Sequence, residues 1–141
     1  MGRILSIDYG KKRVGIAVSD PLKIIATALD TVPESTALNW IEAYLSREPV
    51  ELFVIGLPMN LNGSDAELMP DVKRFARRLE KFNLPVAWVD ERFTSKMAMR
   101  AMVDAGVRKS QRRKKENTDK ISAVIILQTY LQTCELQNIN K

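Results

Sequence analysis

Two short apolar runs, Glu51-Leu52-Phe53-Val54-Ile55-Gly56 and Val86-Ala87-Trp88-Val89-Asp90, constrain the fold more than any other part of this sequence. Each is nearly continuous rather than alternating, the pattern of a strand covered on both faces. Each follows a segment with helical spacing. The first segment opens at Pro33-Glu34-Ser35 and has Leu38, Ile41, Ala43 and Leu45 as inner residues. The second is capped by Ser64 or Asp65 and sets Leu68, Val72, Phe75, Ala76, Leu79 and Phe82 on one face. Alternating helices and buried strands of this kind require parallel strands with right-handed crossovers.

The chain begins differently. Ile4-Leu5-Ser6-Ile7-Asp8 reads as a buried strand ending on an acid, Tyr9-Gly10-Lys11-Lys12 as a turn, and Arg13-Val14-Gly15-Ile16-Ala17-Val18 as an alternating strand, so the two form a hairpin. A third extended stretch, Ile24 to Leu29, follows the turn signal Asp20-Pro21. After the second buried run, Thr94 or Ser95 caps a helix carrying Met97, Ala98, Ala101 and Met102, closed by Gly106. The last helix runs from about Thr118 to Gln132, and its stretch from Ile121 to Leu127 is apolar almost all round, which predicts burial. The expected architecture is α/β: a mixed five-stranded sheet, three antiparallel strands then two parallel ones, with helices on both faces. Residues 1–141 read as one domain, the size that supports a core without staples.

Composition narrows the chemistry. The chain has no histidine and one cysteine, Cys134. A Ser-His-Asp triad, a Cys-His dyad, His- or Cys-ligated zinc and an internal disulfide are therefore excluded. A metal held by this chain would be a hard cation on oxygen ligands, magnesium or manganese. No apolar run reaches the roughly 18 residues of a membrane span, and the N-terminal apolar stretch is too short for a signal peptide. The expected compartment is the cytoplasm, with no membrane partner.

Three acid positions fall at element ends. Asp8 ends the first strand, where an acid serves either the following turn or a cation. Asp90-Glu91 ends the second buried run, at the carboxyl edge where α/β sheets bind ligands. Successive strand residues face opposite ways, so only one of that pair can share a face with Asp8, and strand phase alone leaves both open. Asp119 lies in the first turn of the last helix, where the dipole favours a negative charge. Converging on one rim, these carboxylates would suit magnesium or manganese, and two such ions can activate water and stabilise the leaving oxygen in phosphoryl displacement.

The octet Arg108-Lys109-Ser110-Gln111-Arg112-Arg113-Lys114-Lys115 holds six cations and runs straight toward Asp119. Its charge exceeds the formal net charge of +5 for the whole chain, so the remainder sums to −1. The chain thus reads as a near-neutral domain with one cationic loop, a phosphate-backbone contact. The loop from Gly56 to Gly63, with Asn60, also leaves a strand's carboxyl end and offers backbone amides to a phosphate, without the Lys-Ser/Thr of a P-loop. Arg92 and Tyr9 are further candidates for substrate binding.

Asp8-Tyr9-Gly10 with Arg13-Val14-Gly15-Ile16-Ala17, Gly56-Leu57-Pro58 with Asn60 and Gly63, Asp90-Glu91-Arg92-Phe93-Thr94, and Asp119-Lys120-Ile121-Ser122-Ala123 with Leu127-Gln128 and Tyr130-Leu131 together resemble the YqgF family. These bacterial proteins are described as pre-16S rRNA nucleases and as Holliday junction resolvases, and they have the ribonuclease H-like fold. The likeness follows the family's order over nearly the whole chain; Ser122 stands where family members tend to carry alanine. It implies a Mg2+- or Mn2+-dependent nuclease that matures the 5′ end of the 16S rRNA precursor, with Asp8, Glu91 and Asp119 as catalytic metal ligands and Asp90 in reserve. The implied partner is RNA, on ribosomal particles, with Arg108, Lys109, Arg112, Arg113, Lys114, Lys115 and Arg92 on its phosphates. Branched DNA as substrate, or a non-catalytic ribosome assembly factor, are the alternative readings.

Overall fold

The computed structural model describes residues 2–57, 64–90 and 115–139. Strands β1 (Arg3–Tyr9), β2 (Arg13–Ser19) and β3 (Ala26–Pro33) are followed by helix α1 (Glu34–Arg47), strand β4 (Val50–Leu57), helix α2 (Ser64–Leu79), a 3₁₀ turn (Glu80–Phe82), strand β5 (Val86–Asp90) and helix α3 (Lys115–Ile139). The five strands form one sheet in the order β3-β2-β1-β4-β5. β1 pairs antiparallel with β2 and parallel with β4, so the strand that ends on Asp8 is central.

The alternation of β1 and β2 divides two cores. Leu5, Ile7, Val14, Ile16, Phe53 and Ile55 pack against α1 and α2, through residues such as Ile41, Phe75 and Leu79. Ile4, Ala17, Val54 and Val89 pack on the other face against Ala123, Ile126 and Leu127 of α3. Both faces of the central strands are therefore covered, as their continuous apolar character requires.

Three element details differ from expectation. β3 starts at Ala26 rather than Ile24 and continues to Pro33. The cause is the turn before it. The Asp20 Oδ1 accepts the backbone N–H groups of Ile24 at 2.7 Å and Ile25 at 2.8 Å, and Lys23 adopts a left-handed φ of 62°. Ile24 and Ile25 are held off the ladder and are 69% and 61% exposed. In α1 the inner position is Tyr44, not Ala43, because a 3.6-residue period from Ala37, Leu38 and Ile41 reaches 44. α3 is longer than Thr118 to Gln132 at both ends. Neither Gly nor Pro occurs beyond Gly106, so nothing stops the helix after Gln132. Lys115, expected in the cationic loop, belongs to its first turn; lysine's good helix propensity outweighs its unfavourable sign at the positive end of the dipole.

The Asp20 turn also makes stability pH-dependent. The N–H groups of Ile25 and Ile24 hold its carboxyl below the ordinary value of 3.8. A depressed folded-state pKa contributes stability above that value and loses it as pH falls through the folded pKa. The stability difference between the native chain and Asp20→Ala should therefore be full at pH 7 and shrink below about pH 3.8, as urea denaturation at both ends of that range will measure.

Candidate active site

The site begins with the direction of α3. Ser6 Oγ donates to the Ala123 carbonyl at 2.7 Å, which places Ala123 level with the middle of β1. Further along α3, Gln128, Leu131 and Gln132 line a depression with Lys23 and Ile24 from the β2–β3 turn. Lys23 pairs with Glu51, at the amino end of β4. α3 thus runs from the carboxyl edge of β1 and β4 toward their amino edge. Asp119 precedes Ala123 by four residues, about 6 Å of helix, and Asp8 follows Ser6 by two, about 7 Å of strand. The backbone at Asp119 and the end of β1 lie at the same level of the molecule.

The face of Asp8 follows from its neighbours. Tyr9 packs its ring against Phe75 of α2, with centroids 5.1 Å apart. Ile4 and Ser6 pack toward α3. Alternation puts Asp8 on the α3 face with them, where it is half-buried. Directly opposite on β2 stands Gly15, which carries no side chain to crowd the carboxylate. On the other side, Ile7 pairs with Ile55 and Gly56 pairs with Val89. Gly56 is therefore the next residue of β4 at the level of Asp8, again without a side chain. Asp90 pairs with Leu57, one step beyond. The ends of β1, β4 and β5 and the amino-terminal turns of α3 meet at one rim.

Tyr9, a candidate for substrate binding, is instead turned into the α2 core. Burial raises the pKa of its hydroxyl, and Glu34 and Asp71 beside it push the same way. It is a protonated packing residue, not an acid–base group at Asp8. Arg13 is the residue that sequence reasoning misses. In the alternation Arg13-Gly15-Ala17, it falls on the α3 face near the same rim. That alternation is the signal that could have found it.

Glu91, Arg92, Arg108, Lys109, Arg112, Arg113, Lys114, Asn60 and Gly63 lie outside the described residues, as does the helix expected to carry Met97 to Met102. Among the described residues no three acids form a cluster.

A carboxylate-bearing central strand in this sheet order, with helices on both faces, is the ribonuclease H-like architecture. The solved structure of T. thermophilus RuvC in complex with Holliday junction substrate has the same fold, with a TM-score of 0.56 at 17% identity, covering 94% of this chain and 96% of that one. A second Thermus thermophilus RuvC structure matches at a TM-score of 0.51 and 15% identity, covering 93% and 96%. The family model described as "RuvX: Holliday junction resolvase" matches residues 2–133, and the chain belongs to this family, the YqgF/RuvX family. Relatives in Porphyromonas gingivalis and Bacteroides thetaiotaomicron both carry the name "Putative pre-16S rRNA nuclease". The first is 53% identical over 133 residues, 93% of this chain and 96% of its own. The second is 52% identical over 135 residues, 94% and 98%.

Proposed function

We propose that this chain hydrolyses phosphodiesters at the 5′ end of the 16S rRNA precursor, in the cytoplasm, with Asp8, Glu91 and Asp119 around Mg2+ or Mn2+, as one catalytic domain over residues 1–141. The observation that carries the reading is Asp8: a half-buried acid on the α3 face of the central strand, between two positions without side chains. The names of the close relatives support RNA as the substrate.

The likeness of Asp90-Glu91-Arg92 to the family's motif supports Glu91 as a metal ligand, with Asp90 in reserve. The donor chemistry suits a hard cation, since the chain has no histidine and its one cysteine, Cys134, lies on α3 eleven residues beyond Ala123. Gly15 and Gly56 on either side set no side chain of their own against the Asp8 carboxylate. A divalent ion bound there supplies Lewis-acid polarisation of the phosphoryl oxygens. The chain's own residues do the rest: β1 fixes the carboxylate, Arg13 adds a cation on the same face, and the octet from Arg108 to Lys115 holds the flanking phosphates.

The test is incubation of purified protein with a 5′-extended 16S precursor and with a four-way DNA junction, each with Mn2+, Mg2+ or a chelator. Cleavage of the precursor with either ion and none with chelator is the expected result. Cutting of the junction alone would move the chain to the DNA-resolving activity in its family's description. No cutting of either would leave the non-catalytic assembly role.

A further inference from the structure

The face of the sheet away from Asp8 carries a groove that the active site does not use. It lies between α2 and the edge strand β5, has a volume of about 360 Å3, and is lined by Leu57, Lys73, Ala76, Arg77, Val86 and Trp88, with Glu80 as its one acid among the described residues. Trp88 is 41% exposed, although it sits in an otherwise apolar strand. β5 ends the sheet, so nothing on its far side covers the indole among the described residues.

The cations of α2 divide into two kinds. Arg74 pairs with Asp71 at 3.0 Å and Arg78 with Glu34 at 3.5 Å. Lys73 and Arg77, one turn apart on the groove side, are exposed and have no ion-pair partner among the described residues. An indole beside two cations that the described residues leave without an ion pair matches the chemistry of a single nucleic-acid strand: a base has a π-face to stack, and its phosphates supply anions. A protein surface would have to bring its own carboxylates to both cations.

The groove is also within reach of the site. Trp88 lies two residues before the end of β5, and β5 is two strand spacings, about 10 Å, from β1. A strand leaving the carboxyl rim at Asp8 can pass over the β5 edge into it.

We propose that this groove binds single-stranded RNA flanking the cleavage point, with one base stacked on Trp88 and phosphates on Lys73 and Arg77. This rests on the RNA-processing reading above.

The experiment uses full-length Asp8→Asn protein in a Trp40→Phe background, so that binding is separate from cleavage and Trp88 is the sole tryptophan. Trp40 stacks on Tyr44, and phenylalanine keeps a ring there. A fluorescently labelled 12-nucleotide polyuridine is titrated while anisotropy and indole emission are followed. Quenching of Trp88 on binding is expected, with affinity about tenfold weaker for Trp88→Ala. Lys73→Gln/Arg77→Gln should lower the salt slope by roughly 1.4, about 0.7 for each phosphate no longer neutralised. All three side chains are exposed, so these variants should fold. RNA binding with unchanged Trp88 emission and unchanged affinity in both variants would overturn the proposal. So would an absence of RNA binding, or Trp88 emission that responds to protein concentration and not to RNA, which would assign the groove to a second copy of the chain. Cleavage of the precursor by the native chain, measured alongside, separates failure of the groove from failure of the nuclease reading.

Discussion

Asp8→Asn is expected to abolish precursor cleavage while leaving RNA binding in place. The substitution keeps the shape of the side chain, the extended backbone and the pairing with Gly15, so β1 has no reason to move. It removes the negative charge that an ion requires. Metal stabilisation of a phosphoryl transition state is worth several kcal/mol, and each 1.4 kcal/mol is tenfold, so the loss should be about a hundredfold at the least. None of the chain's own cations is lost, so the contacts of Arg and Lys side chains to the flanking phosphates should keep most of the binding. Cleavage assays beside filter binding on the same preparation measure both. Undiminished cleavage would remove Asp8 from the site.

Phe75→Ala should produce the largest loss of stability. Phe75 is 1% exposed and joins α2 to the sheet beneath it. Truncating a buried phenylalanine costs about 3–5 kcal/mol through lost transfer energy and the cavity left behind. Domains are commonly stable by about 5–15 kcal/mol, so this is a large share. The midpoint of urea unfolding should fall with little change in slope. A second effect follows from the ring contact with Tyr9 at 5.1 Å. Tyr9 is the residue after Asp8, and its packing on Phe75 anchors the end of β1 from which Asp8 faces α3. Activity of the folded fraction should therefore fall as well, which single-turnover cleavage well below the melting temperature will detect. An unchanged rate in the folded fraction would mean that β1 holds Asp8 without help from Tyr9.

The sheet is legible in the sequence because its strands are of two visibly different kinds. Alternation in Arg13 to Val18 and continuity in Leu52 to Gly56 read as a hairpin strand and a parallel one, although the structure covers β2 on both faces as well, and order and direction follow from the connections. Boundaries are harder to read where side chains compete with the ladder. Asp20 captures two amides that Ile24 and Ile25 would otherwise give to β3, and the apolar character of those residues conceals it. Hydrophobicity falls after Leu131, which suggests an end to α3, yet only a breaker would make one and the chain has none there. At the site, the candidacy of Asp8 is visible in its place at the end of an apolar strand. Its face is not. That depends on which of the two cores receives Tyr9, a tertiary fact. Arg13 and Gly15 belong to a recognisable motif, yet their shared face with Asp8 emerges only from the pairing of β1 with β2. Trp88 looks like core in a buried run and is surface, because nothing in a single strand's sequence says that it is the edge.

The central position of β1 has a consequence for how the molecule yields. Its amides are bonded to β2 on one side and β4 on the other, and Ser6 ties it to α3 through a buried contact. Such a strand cannot open by fraying, which is available to β3 and β5 at the margins. Hydrogen exchange at Ser6 and Ile7 should proceed only when the whole molecule unfolds, while amides of β5 exchange through smaller local openings. The carboxylate of Asp8 is thus mounted on the last part of the protein to let go. Heating or denaturant will loosen the Trp88 groove well before it disturbs the acid proposed to hold the metal ion.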